Sequence, residues 1–232
     1  MNFLDISVLF IFACCIWLGY HRGLVLSLYS VCGWLLALVL ARQAYPYVNQ
    51  FLLNSFVYDL VYQLVEANLG LEEMIAERSQ EAQNALISAL GLPLVIVGLL
   101  QAGNNPVLYE AFKATNIAEY IHAYLTVLCI NVLSLVLSFI IISLIMRVIL
   151  QSLNIVTRLP VIKTLNRAGG AVAGAIQGLL VVWIFGLIIT ALIAMGSAPL
   201  LGEMLGSSTL AQRFVENNYL LDIVFRVVNV NM

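Results

Sequence analysis

The chain has 232 residues, of which 62% are hydrophobic and only 9% are charged, and its mean hydropathy is +1.02. A soluble domain carries about 25% charged residues, so this composition predicts an integral membrane protein. The net charge of -2 and the lack of a dense Lys/Arg run exclude a polybasic nucleic-acid-binding protein. The four cysteines form no C-x-x-C pair and the two histidines are far apart, so neither residue type predicts a metal site.

Two apolar runs at residues 2–20 and 24–41 predict a pair of membrane helices, with Arg22 at the tip of the turn between them. The first run has no basic n-region and no A-x-A cleavage site, which favours a retained helix over a signal peptide. In the second run, Gly33 and Ala37 belong to a stripe of small residues on one helical face. Such a stripe predicts close packing against another helix.

The segment of residues 42–119 carries most of the acidic side chains and is predicted to lie outside the membrane core. Aromatic and aliphatic residues recur at helical spacing over residues 48–69, which predicts an amphipathic interfacial helix. A polar helix is predicted over residues 71–90. Glycine and proline interrupt the apolar stretch at residues 87–102, so re-entrant, interfacial and spanning interpretations stay open.

The third apolar run, at residues 120–150, contains three polar side chains on one helical face: Asn131, Ser134 and Ser138. One interpretation is that this face meets a partner helix and forms hydrogen bonds across the contact. The other is that it forms the polar lining of a substrate path. No ionisable group joins the stripe, and this favours the first interpretation.

The fourth apolar run, at residues 165–194, places Gly170, Gly174 and Gly178 four residues apart. Residues four apart lie on one face of a helix, so the three glycines predict a groove where another helix approaches backbone to backbone. The alternative is that glycine is simply frequent in membrane helices. The strict spacing favours the packing groove.

The loop at residues 147–167 is purely basic, which predicts a cytoplasmic position by the positive-inside rule. With four spans, the Arg22 turn lies on the same side, and both termini and residues 42–119 lie outside the cytoplasm. A fifth span would put the two basic segments on opposite sides, so four spans are preferred. An amphipathic helix is predicted over residues 210–228.

The predicted fold is therefore an all-α integral membrane protein with four transmembrane helices in two hairpins plus amphipathic interfacial helices. Residues 1–41 form the first hairpin and residues 42–119 the acidic extracytoplasmic segment. Residues 120–196 form the second hairpin with its basic loop, and residues 197–232 contain the C-terminal amphipathic helix. No nucleotide-binding, metalloprotease or serine-hydrolase motif occurs, so no catalytic residue, metal or cofactor is predicted.

Several short motifs resemble one known family. They are N-x-L-D at the N-terminus, R-G and G-W in the first hairpin, and L-N-R-x-x-G-x-x-x-G-x-x-x-G at the start of the fourth run. Together they resemble the CvpA, or colicin V production, family of bacterial inner-membrane proteins. The resemblance covers the four spans and leaves out residues 42–119 and the C-terminal helix. Besides the three glycines of the fourth run, the motif residues include Asp5, Arg22, Gly23, Asn166 and Arg167.

The resemblance implies a multi-pass inner-membrane protein connected with colicin V production or secretion and with cell-envelope maintenance. The first hypothesis is a non-enzymatic accessory or scaffold factor whose partners are the lipid bilayer, a second copy of the chain, or envelope and secretion proteins. The alternative hypothesis is a small oligomeric transporter or channel in which the stripe of Asn131, Ser134 and Ser138 lines the path.

Overall fold

The computed structural model describes residues 2–71, 79–152 and 163–221. These residues form α-helices joined by short turns and contain no strand, which confirms the predicted all-α class. In chain order the helices are α1 (Phe3–Arg22), α2 (Leu24–Leu53), α3 (Phe56–Leu69), α4 (Gln80–Ala89), α5 (Leu94–Ala102), α6 (Pro106–Phe112), α7 (Ile117–Ser152), α8 (Lys163–Ala194), α9 (Pro199–Gly206) and α10 (Leu210–Glu216).

Within the described ranges, four helices are long and apolar enough to cross a membrane, as predicted. Helix α5, in contrast, has only 9 residues and rises about 14 Å, roughly half the thickness of the hydrocarbon core. A break around Gly91, whose φ is 66°, separates it from α4, so residues 87–102 do not form a regular span. The four candidate spans are Phe3–Arg22, Leu24–Leu53, Ile117–Ile149 and Thr164–Ala194.

Helix α2 extends to Leu53, well beyond the predicted end of the second apolar run, and it passes through Pro46. Proline removes one backbone hydrogen bond, but the helix continues because its inner face still packs on α7. The predicted start of the interfacial helix over residues 48–69 is therefore wrong. The break falls next to Ser55, whose Oγ accepts a hydrogen bond from the Val57 backbone N–H at 3.3 Å and caps α3.

Two other predicted helices are only partly covered by the described residues. The polar helix predicted over residues 71–90 is represented by α4, and residues 72–78 lie outside the described ranges. The helix predicted over residues 210–228 is represented by α10, which ends at Glu216. Helix α9, which precedes it, was not predicted, and residues 222–232 lie outside the described ranges.

Helix α8 is central to the bundle because it contacts α1, α2 and α7. Half of the residues in the most apolar stretches of α7 and α8 are buried, against 22% in α1 and α2. Helix α1 packs mainly on α8, α2 packs mainly on α7 and α8, and α1 and α2 make few contacts with each other. The helices of the first hairpin therefore pack mainly on those of the second, and the outer faces of α1 and α2 remain exposed for contact with lipid.

The short helices form a layer at the end of the bundle where α1 starts and α8 ends. Tyr120, at the start of α7, donates a hydrogen bond to the Leu100 carbonyl in α5 at 2.9 Å and stacks on Tyr109 of α6 at 5.0 Å. The Asn68 side chain at the end of α3 donates to the Met195 carbonyl at 3.2 Å. These contacts attach the layer to the spanning helices.

Candidate functional site

Helix α1 lies along the three glycines of α8. A Cβ added at Gly174 would overlap the carbonyl oxygen of Cys15, and one added at Gly170 would lie 2.8 Å from the carbonyl carbon of Gly23. At Gly178 an added Cβ would lie 3.1 Å from the Phe12 ring. The two backbones therefore meet along the glycine face, with no room for side chains between them.

The α1 side of this contact was missed by the sequence analysis. A Cβ added at Gly19 would lie 2.9 Å from the Cα of Gly174, so Gly19 is as necessary to the close approach as the glycines of α8. The available signal was the spacing of Cys15, Gly19 and Gly23, which repeats the four-residue step of α8. The spacing of these three residues was not compared with that of the glycines of α8, so the second ladder was missed.

The two basic motifs meet at the opposite end of the bundle from the layer of short helices. Gly23 adopts φ +82° and ends α1, and Asn166 Oδ1 accepts a hydrogen bond from the Leu24 backbone N–H at 2.7 Å. A Cβ at Gly23 would lie 2.9 Å from Asn166 Cγ, so this position requires glycine. The Arg167 guanidinium lies 5.6 Å from the centre of the Tyr20 ring, within cation–π range.

Asp5 is fully buried and joins the start of α1 to the start of α10. Its Oδ1 accepts hydrogen bonds from the Leu210 and Ala211 backbone N–H groups at 2.9 and 3.3 Å and from the Ser208 hydroxyl. Its Oδ2 accepts from the Asn2 backbone N–H at 3.3 Å. One carboxylate therefore caps two helices, at the ends where a negative charge is favourable.

The polar stripe of α7 is buried against α2. Asn131 Oδ1 accepts hydrogen bonds from the Tyr45 hydroxyl and the Asn49 side-chain NH₂, each at 2.7 Å. Ser134 donates to a carbonyl of its own helix, and Ser138 is buried without a hydrogen-bond partner. Tyr45 and Asn49 were missed because the sequence analysis ended the second helix before them.

The small-residue stripe of α2 divides into two parts. Ala37 is completely buried and packs with Ala41 against Phe139 of α7. Gly33 and Ser30, nearer the basic end, line a cavity instead. The same stripe therefore brings α2 into contact with α7 at one level and leaves space between them at another.

This cavity, of about 570 Å³, lies between α2, α7 and α8. Trp34 and Phe139 form an apolar wall, with their ring centres 5.5 Å apart. Among the described lining residues there is no Asp or Glu. The cavity was not predicted from the sequence because its lining residues are far apart in the chain. Its polar lining consists of Arg22, Tyr29, Ser30, Ser143, Arg147 and Gln177.

The described part of the chain contains no group of three His, Cys, Asp or Glu side chains close enough to hold a metal ion. A family model described as Colicin V production protein matches residues 4–105 and 107–219. The chain belongs to the colicin V production protein family.

The family match confirms the resemblance and corrects its extent. The resemblance was limited to the four spans, whereas the match to the colicin V production family also includes most of residues 42–119 and both α9 and α10. No curated protein and no solved structure matches the chain. The segment between the hairpins is therefore part of the family architecture.

A glycine-to-alanine pair tests the contact between α1 and α8. Gly174→Ala should lower the free energy of unfolding by about 1–3 kcal/mol, because the added methyl group overpacks the contact. Gly98→Ala is the matched control, since an added Cβ at this helical glycine of α5 meets open space. The measurement is thermal unfolding in detergent, and equal midpoints for both variants would contradict the close contact.

A second substitution tests the capping role of Asp5. Asp5→Asn keeps the size of the side chain but removes the charge that two helix N-termini share, so the thermal midpoint should fall and the amide protons of α10 should exchange faster. Asp59→Asn is the control, because Asp59 is an exposed acid in the first turn of α3. Unchanged exchange in α10 for Asp5→Asn would show that the carboxylate does not hold this helix.

Proposed function

We propose that this member of the colicin V production family is a non-enzymatic accessory or scaffold protein in colicin V production or secretion and in cell-envelope maintenance. The observation that carries the proposal is the use of polar side chains to join helices. Asp5 and Asn131, which are buried, and Asn166, which is partly buried, each form a hydrogen bond with another helix of the same chain. Polar groups committed to joining helices support a framework role, and the family is not a known family of enzymes.

The proposed location is the bacterial inner membrane, with both termini outside the cytoplasm. The contact between Gly23 and Asn166 supports this orientation, because it brings the turn at Arg22 and the basic segment before α8 to one end of the bundle. Neither residues 6–58 nor residues 120–202 contain an acidic side chain. Under the positive-inside rule, this purely basic end faces the cytoplasm.

The proposed partner surface is the outer layer of short helices. Several large apolar side chains of this layer and of the end of α2 are largely exposed, namely Tyr47, Phe51, Phe56, Leu94 and Val107. Apolar residues in amphipathic helices at this level suit the bilayer interface or another membrane protein. The bilayer, a second copy of the chain and envelope or secretion proteins are the proposed partners.

A small oligomeric transporter or channel is the second candidate function. The cavity between α2, α7 and α8 is the observation that favours it. The predicted path along Asn131 does not add support, because this face is packed against Tyr45 and Asn49. Solute flux in proteoliposomes that is lost when the cavity is filled by Gly33→Leu would favour transport over the scaffold role.

Colicin V release tests the accessory role. In cells that carry the colicin V export system but lack their own family member, the wild-type protein should restore release. Val107→Glu should restore several-fold less, because a charge in an exposed apolar surface weakens a partner contact, whereas Val107→Ala should restore most of it. Equal colicin V release with and without the protein would overturn the accessory role. The wild type and the two Val107 variants are compared at equal amounts of protein in the membrane.

Cysteine labelling tests the orientation. In a background with the native cysteines replaced by alanine, Thr164→Cys near the basic end and Glu81→Cys in the outer layer both place a thiol at an exposed position. We expect an impermeant maleimide to label only Glu81→Cys in intact cells and to label both after the membrane is opened. Labelling of Thr164→Cys in intact cells would reverse the topology.

A further inference from the structure

We propose that the cavity between α2, α7 and α8 binds an anionic glycerophospholipid from the surrounding bilayer. In this assignment, the lipid phosphate lies against Arg22 and Arg147, and an acyl chain lies along Trp34 and Phe139. The proposal goes beyond the scaffold role, since it concerns a ligand that the scaffold would hold whether or not it has a protein partner.

The charge of the cavity favours an anion. Both arginines are exposed and line the same opening, and no described lining residue is acidic. The sequence strengthens this point, because it has no Asp or Glu in residues 6–58 and 120–202. These ranges include all of α8 and the full described length of α7 beyond its first turn. No carboxylate of the described lining residues neutralises the arginines, and a basic pocket between membrane helices attracts anionic lipid headgroups.

A free hydrogen-bond donor lies below the arginines. Serine in a membrane helix usually donates to the carbonyl four residues earlier, as Ser134 and Thr190 do at 2.6 and 2.8 Å. Ser143 lines the cavity, yet its buried hydroxyl has no partner. It lies one turn before Arg147, which corresponds to about 6 Å along the helix, and this suits an ester carbonyl beneath a phosphate.

The walls of the cavity favour a lipid over a soluble anion. Trp34 and Phe139 supply an aromatic surface inside the spanning helices, and Ile140 and Leu144 line the cavity while remaining 46% and 58% exposed on the outer face of α7. The opening is therefore continuous with the surface that faces acyl chains. A ligand with a charged head and an apolar tail satisfies both parts of the site, and about 570 Å³ is a ligand-sized volume.

Fluorescence quenching by brominated lipids tests the proposal, because Trp34 lies in the cavity wall. The full chain carrying Trp17→Phe and Trp183→Phe has Trp34 as its single tryptophan. It would be reconstituted into phosphatidylcholine vesicles with brominated phosphatidylglycerol or brominated phosphatidylcholine at equal mole fraction. We expect stronger quenching of Trp34 by brominated phosphatidylglycerol than by brominated phosphatidylcholine. The corresponding preference of the site for phosphatidylglycerol should be about fivefold for each arginine that contacts the lipid.

Charge variants connect the preference with the cavity. The double variant Arg22→Gln/Arg147→Gln should lose the preference, Arg147→Lys should keep most of it, and the matched control Arg42→Gln should leave it unchanged, because Arg42 is exposed outside the cavity. Circular dichroism checks that each variant is folded. If the double variant does not fold, Arg22→Gln and Arg147→Gln alone decide by the same measurement.

Three results would overturn the proposal. The first is equal quenching by both lipids in the wild-type background. The second is a preference that persists when both arginines are replaced. The third is loss of the preference on adding inorganic phosphate at constant ionic strength, which would assign the arginines to a soluble anion. None of these results bears on colicin V release, so the lipid site and the accessory role can fail independently.

Discussion

The close approach of α1 and α8 is the constraint on which the rest of the bundle depends. In a bilayer, lipid tails are as apolar as leucine, so helices associate through packing and interhelical hydrogen bonds. Gly170 and Gly174 face Gly19 and Cys15 with no side chain between the backbones. This contact fixes α1 on one side of α8, and the remaining surface of α8 is then available to α2 and α7.

Polar contacts at three levels set the position of the helices along the membrane normal. Asp5 attaches the start of α1 to α10, Asn166 caps the start of α2, and Asn131 joins α7 to the second half of α2. Glycine packing alone would permit sliding along the groove. A side chain that must bond to one particular backbone N–H or hydroxyl group prevents such sliding. These contacts therefore define a single register.

The sequence predicted features that depend on one helix and missed features that depend on two. The four spans follow from the composition of single segments, and the structure confirms their number. The Gly170–Gly178 ladder likewise follows from the spacing within one helix. The continuation of α2 through Pro46 was missed because tertiary packing outweighs the local cost of proline. Because that extension was missed, Tyr45 and Asn49 were missed as well. The sequence favoured a partner helix for the Asn131 stripe, but it did not identify α2 as that partner.

The cavity forms because α2 and α7 are in close contact at one level and are separated by a gap nearer the basic end. The two helices meet tightly where Ala37 and Ala41 pack on Phe139, and one turn nearer the basic end Gly33 contributes no side chain to fill the gap. At that end the start of α2 is held by Asn166 of α8, so α2 cannot close onto α7 without losing its cap. The same glycine-rich construction that brings α1 close to α8 therefore leaves an opening on the other side of the bundle, at the depth where Arg22 and Arg147 supply its charge.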